Sequence, residues 1–127
     1  MARFRLYFFE TARGEQIVKD RFDLIEAREW SAWTSIAAGL AILEEVGATY
    51  GGSRFNRLRH VTSADLWELR AQGRPAYRVL FAEVPGELAF ILLVVARKDD
   101  MTSTRLKSRF IEEALENLQK WLEEVPK

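Results

Sequence analysis

The sequence contains no cysteine and only one histidine, His60, among its 127 residues. Without cysteine there can be no structural disulfide, thiolate nucleophile or cysteine-ligated zinc. A single histidine also excludes a zinc site built from several histidines. Any catalysis by this chain must therefore rely on carboxylates, arginines, lysines, hydroxyl groups or His60, which lies in a loop-like region without a recognisable nucleophile motif.

Long hydrophobic runs are missing as well. The longest apolar stretch, residues 88–96, is ended by Arg97 and is too short to cross a bilayer as a helix. The arginine-bearing start of the chain reaches Glu10 without a small-residue cleavage site, so it does not resemble a signal peptide. We therefore expect a cytoplasmic protein with no membrane partner.

Length and composition are those of an ordinary globular domain. Residues 1–127 fit a single domain. The composition, 48% hydrophobic and 30% charged, is ordinary for a soluble fold. A chain of this length can bury a core without disulfides or metals.

Charge is distributed unevenly, although the net charge is zero. Neutrality argues against a protein that binds polyanions over its whole surface. However, residues 54–109 carry 11 basic and 6 acidic side chains, and the flanking segments are acidic. Most of these cations are arginines, whose planar guanidinium pairs with phosphate and stacks on bases. The pattern indicates either a local phosphate-binding surface or arginines that solvate one face of a sheet.

Hydrophobic periodicity predicts the element order β-α-α-β-β-β-α. Apolar residues alternate in the predicted strands and recur with a helical period in the predicted helices. The predicted strands are 3–10, 66–71, 77–83 and 88–98, the predicted helices are 15–25, 27–46 and 104–124, and a short extended segment is predicted at 57–61. The helical stripes place Trp30, Trp33 and Trp121 in the core.

This order predicts an α+β fold. The last three strands are joined by tight turns, so they are antiparallel neighbours. The first strand must join them to bury its phenylalanines. We expect an antiparallel sheet of about four strands, with the two N-terminal helices and the C-terminal helix on one face.

The common catalytic motifs are absent, but polar residues recur on the predicted three-strand meander. Glu68 and Arg70 are two residues apart and share a strand face. Arg78 lies on the facing strand, and Lys98 ends the last strand. Such a set can combine a general base with cations that stabilise a phosphorane transition state. The alternative is a cross-strand ladder of ion pairs on a solvated face.

Residues 65–104 also carry a recognisable series of motifs. LWELR is followed by YRVLF and then by the apolar strand LAFILLVVARKDDMT. This series resembles the RelE/HigB superfamily of toxins from type II toxin–antitoxin systems, and it is most similar to the phage-protein-like HigB branch. The strand and two helices that precede it have the order that this family shows, so the resemblance implies a RelE-like fold.

The resemblance also implies an activity. Its members include ribosome-dependent messenger-RNA endoribonucleases (mRNA interferases) that inhibit translation. They use no metal or cofactor, because the ribose 2′-OH attacks its own phosphate and releases a 5′-OH fragment. By position, Arg78 matches the arginine that contacts the scissile phosphate, Glu68 matches the base and Lys98 matches a strand-end lysine of the active site.

Further residues and partners follow from the same resemblance. The residues expected to bind RNA are Arg57, Arg59, Arg70, Arg74 and Arg97. The expected partners are the ribosome, messenger RNA and a cognate antitoxin, which would be a small helix-turn-helix protein.

The sequence departs from the family pattern in two ways. Asp99 and Asp100 stand where relatives carry a basic, threonine-rich segment. No histidine or tyrosine follows Tyr77 to act as general acid, which leaves Lys98, Arg97 or Tyr77 for that role. Two other functions therefore stay open: a toxin of this fold that acts on a protein such as gyrase, or an inactive prophage-derived protein that only binds the antitoxin.

Overall fold

The computed structural model describes residues 2–124, which form an α+β fold. Within this range, a sheet of five strands is accompanied by three α-helices and one 3₁₀ turn. In chain order the elements are β1 (Arg5–Phe8), α1 (Ile17–Arg28), α2 (Trp30–Val46), β2 (Phe55–Arg57), β3 (Leu66–Ala71), β4 (Tyr77–Glu83), β5 (Ala89–Arg97), the 3₁₀ turn (Lys98–Met101) and α3 (Thr104–Glu124).

The strands are arranged in the order β1-β5-β4-β3-β2. β2 to β5 pair antiparallel, but β1 pairs parallel with β5, so the sheet is mixed. The expectation of about four antiparallel strands was therefore wrong. β2 has only three residues, too few to show a periodic pattern, and the parallel pairing of β1 joins segments that are far apart in the chain.

The sheet is covered on both faces, whereas the sequence analysis placed all helices on one. Leu69 of β3 packs on α2, where a Cβ atom added to Gly39 would lie 2.7 Å from Leu69 Cδ1. Its neighbour Glu68 points the other way and meets Lys107 of α3. A layer on each face explains the nearly continuous burial of β5, as expected for a central strand.

The tryptophans do not all reach the core. Trp30 begins α2 directly after the non-helical residue Glu29 and is 65% exposed, so the prediction that it is a core residue was wrong. Trp33 and Trp121 are partly buried, and each packs against the helices or sheet of the core. Trp67 stacks on Phe81 with 6.4 Å between ring centroids.

Among residues 2–124, no helix combines the length and the apolar character that a membrane span requires.

Candidate functional site

The candidate site is organised around Glu68, at the centre of β3. Glu68 is 2% exposed, and it is the one charged side chain that is buried among residues 2–124. It lies opposite Leu80 of β4 and Asn56 of β2, so its strand is flanked on both sides. A buried carboxylate needs charged or hydrogen-bonding partners to offset the loss of water.

Three cations from three elements supply those partners. Arg70 Nε of β3 donates to Glu68 Oε1 at 3.1 Å. Arg78 Nε of β4 lies 3.9 Å from the same oxygen, and Lys107 Nζ of α3 lies 3.9 Å from Glu68 Oε2. Arg70 and Arg78 are direct cross-strand neighbours, so their like charges would repel without Glu68 between them.

Arg78 is the most enclosed of the three cations. Its side chain is 11% exposed, against 41% for Arg70 and 37% for Lys107. Burial lowers the pKa of Arg78, the nearby Glu68 carboxylate raises it and Arg70 lowers it further. A guanidinium nevertheless keeps its charge at physiological pH, and an anion that reaches it interacts strongly because little water screens the pair.

Lys98, which the sequence analysis grouped with Glu68 and Arg78, is not among the cations that pair with Glu68 within residues 2–124. It follows β5 in the 3₁₀ turn, its backbone N–H donates to the Ala76 carbonyl at 2.9 Å, and its side chain is exposed. No ion pair or side-chain hydrogen bond of Lys98 is found among residues 2–124. The lysine that reaches Glu68 is instead Lys107.

Sequence reasoning missed Lys107, although a signal for it exists. The buried residues of α3 are Ile111, Ala114 and Leu118. Lys107 lies four residues before Ile111, so it continues the same stripe toward the helix N-terminus. A lysine in line with an apolar stripe indicates a cation that faces the interior and needs an acidic partner.

The arginines expected to bind RNA do not form one surface. Arg57 pairs with Asp65 at the outer strand, and Arg59 is exposed in the loop that follows. Arg74 is exposed in the turn between β3 and β4. Of the five, Arg70 lies beside Glu68, whereas Arg97 lies on the opposite face of the sheet.

Arg97 and Tyr77 belong to a separate cluster beneath α1 and α2. The Tyr77 hydroxyl donates to Glu29 Oε1 at 2.5 Å, and Arg97 donates to Glu29 Oε2 at 2.6 Å. Burial, followed by the hydrogen bond to Glu29, raises the pKa of Tyr77. Tyr77 and Arg97 were two of the three general-acid candidates, but neither can reach a substrate at Glu68 because the sheet lies between them.

Asp99 and Asp100 lie at the rim of the α3 side. Both are exposed, and they line a cleft of about 420 Å³ together with Arg109. With Glu113 in the same lining, this cleft holds three carboxylates and one arginine, so it is acidic. In the described part of the chain, no group of three or more histidine, cysteine, aspartate or glutamate side chains is placed to hold a metal ion.

The arrangement suits recognition of a phosphate more than metal or thiol chemistry. Two guanidiniums and an ammonium converge on one carboxylate, and an incoming phosphate can compete for the same donors. The chain matches no protein-family model, and no curated protein matches it significantly. The assignment of a function therefore rests on the residues of the site and on the motifs that carry them.

Proposed function

We propose that this chain is a RelE/HigB-like toxin, a ribosome-dependent messenger-RNA endoribonuclease that a cognate antitoxin neutralises. The observation that carries the proposal is the convergence of Arg70, Arg78 and Lys107 on Glu68. The two arginines and Glu68 lie in the ELR and YRVLF motifs, on one face of two paired strands. A phosphate-binding cluster at the motifs that the resemblance singles out is the expected feature of such a nuclease.

The proposed reaction begins with the binding of a phosphodiester. Its oxygens replace Glu68 as partners of Arg70 and Lys107, while Arg78 stabilises the charge of the pentacoordinate transition state. This exchange frees the Glu68 carboxylate, which is 2% exposed without substrate, to take the proton of the ribose 2′-OH. The 2′-oxygen attacks phosphorus, and the bond from phosphorus to the 5′-oxygen breaks.

Proton donation to the leaving 5′-oxygen falls to a lysine in this proposal. Lys107 is the nearest candidate because its ammonium already lies at the site. In this proposal the exposed Lys98, which follows β5, contacts the RNA strand beside the scissile phosphate. The reaction uses no metal or cofactor.

We expect dependence on the ribosome because the site has only a lysine as general acid. A lysine ammonium is a weak acid at neutral pH, so the site gains from having its RNA bent and aligned by another body. Correct alignment of a nucleophile can contribute about 7–11 kcal/mol to the barrier. We therefore propose the ribosome and messenger RNA as partners, with a small helix-turn-helix protein as antitoxin.

The decisive experiment compares cleavage of one transcript with and without programmed ribosomes, with 5′ ends mapped by primer extension. We expect cuts only when ribosomes are present, and none by Arg78→Ala. Arg13→Ala, which removes an exposed arginine from the turn before α1, serves as control and should cut normally. Equal cutting without ribosomes would contradict the ribosome dependence.

A non-cutting, antitoxin-binding protein of the same fold is the second candidate. It is favoured by the near-complete enclosure of Glu68 and by the acidic rim at Asp99 and Asp100. The same experiment separates the two candidates. No cutting under either condition, together with binding of a helix-turn-helix protein found in the adjacent reading frame, would support the inactive form.

A further inference from the structure

A second group of arginines lies on the opposite face of the sheet, where α1 ends and α2 begins. Arg21 and Arg28 of α1 and Arg97 of β5 line one cleft of about 280 Å³. Glu29 is the one carboxylate in the described lining of this cleft. Three guanidiniums thus face a single acid, which leaves an excess of positive charge in a small concave space.

Both carboxylate oxygens of Glu29 already accept a hydrogen bond. Its Oε1 accepts from the Tyr77 hydroxyl and its Oε2 accepts from Arg97. The hydrogen bond with Tyr77 raises the pKa of Arg97 most, and the charge of Asp100 raises it through a longer-range electrostatic interaction. Within residues 2–124, Arg21 and Arg28 form no ion pair. These two side chains therefore have their charge available for a ligand.

A buried aromatic ring lies behind two of these arginines. The Tyr77 ring is completely buried, and the guanidinium carbons of Arg21 and Arg97 lie 5.9 and 6.0 Å from its centroid. Cation–π contacts at these distances restrict where the two guanidiniums can lie.

We propose that this cleft binds a phosphate group of single-stranded RNA. Arg21 and Arg28 contact the phosphate, and Arg97 stays with Glu29. Guanidinium pairs with phosphate in a forked geometry, so two arginines in one cleft, without an acidic partner in the described part of the chain, suit a phosphate group. The choice of RNA as ligand rests on the proposed nuclease function, whereas the site is separated from Glu68 by the sheet.

The test measures binding of a fluorescent single-stranded RNA by anisotropy, without ribosomes and over a range of salt. The variant Arg21→Ala/Arg28→Ala is compared with Arg13→Ala/Lys120→Ala, which removes the same charge from exposed positions outside the cleft. We expect the cleft variant to bind about tenfold more weakly. Its slope of log affinity against log salt should fall by about 0.7, as expected for the loss of one neutralised phosphate of a single strand.

The control variant should bind as the unchanged protein does. Equal losses in both double variants would overturn the proposal, because overall charge would then explain the weaker binding. Unchanged binding by the cleft variant would overturn it as well. Arg28→Glu, a single change at an exposed position, should weaken binding as well, and circular dichroism checks that each variant is folded.

The test also separates this site from the nuclease assignment. Arg78→Ala should retain RNA binding at the cleft even where cutting is lost. If no cutting occurs with ribosomes but binding depends on Arg21 and Arg28, the cleft stands and the nuclease proposal fails. If cutting requires Arg78 but RNA binding is independent of Arg21 and Arg28, the cleft proposal fails and the nuclease proposal stands.

Discussion

Lys107 Nζ lies 3.9 Å from Glu68 Oε2, so an ion pair joins the C-terminal helix to the centre of the sheet. The contact places a cation from α3 in a site whose other members lie on β3 and β4. Because Glu68 is buried, its charge needs compensation, and these three neighbours provide it among residues 2–124. The same cluster should therefore contribute both to the stability of the fold and to the proposed chemistry.

Glu68→Ala should destabilise the fold by about 3 kcal/mol. The change leaves the enclosed Arg78 guanidinium without its carboxylate and brings its repulsion with Arg70 into effect. The free energy of unfolding in urea measures this, with Glu83→Ala as control because Glu83 is exposed at the end of β4. The control should stay within about 0.5 kcal/mol. Equal stability of the two variants would show that the cluster is not a structural element.

The two lysines should differ in their effect on messenger-RNA cleavage. Lys107→Ala removes the ammonium at the site and should slow cleavage by about a hundredfold, in the range of a lost general acid. Lys98→Ala removes only an exposed contact and should have a much smaller effect. Single-turnover rates on ribosomes with saturating protein measure both variants. A larger loss in Lys98→Ala would indicate that the strand-end lysine acts at the phosphate.

Tyr77 should make the fold sensitive to alkaline pH. Its folded-state pKa is raised above 10.0, so the protonated hydroxyl stabilises the fold fully below that pH, and this contribution is lost as the pH rises through the folded value. Tyr77→Phe should flatten the decline in unfolding free energy above about pH 10. At neutral pH it should cost about 1–3 kcal/mol, since Glu29 loses a donor. Tyr50→Phe, at a position that is 84% exposed, should leave the profile unchanged.

Gly73 holds the turn between β3 and β4 against α2. A Cβ atom at this position would lie 2.6 Å from Ala32 Cα and 2.8 Å from the Ser31 carbonyl oxygen. Backbone atoms cannot rotate away, so Gly73→Ala should destabilise the fold by about 1–3 kcal/mol.

Gly39→Ala provides the comparison for Gly73→Ala. Its Cβ would meet the end of the Leu69 side chain, which can shift, and alanine is favoured over glycine within a helix. Urea unfolding should therefore rank Gly73→Ala as the more damaging change. The reverse order would mean that the turn moves away from α2 at little cost.

Local pattern alone predicted the parts of this fold that depend on neighbours in the chain. The bounds of β3, β4 and α3 agree with the alternating and helical periods of the sequence. The hairpin between β3 and β4 set the register of Arg70 against Arg78, and the two-residue period put Glu68 on the same face. These relationships depend only on strand geometry and on a short turn, so the sequence determined them.

The tertiary structure decided which layer each face meets. Periodicity does not indicate which face of a sheet a helix packs on, so the sequence did not predict that α3 lies opposite α1 and α2. For the same reason it did not predict that Lys107, and not Lys98, pairs with Glu68; the only local signal was the stripe on α3. The sheet likewise separates Arg97 from Arg78, although both come from the arginine-rich middle of the chain. Packing between elements distant in sequence determines these positions, because each layer is chosen by the apolar surface that the others leave uncovered.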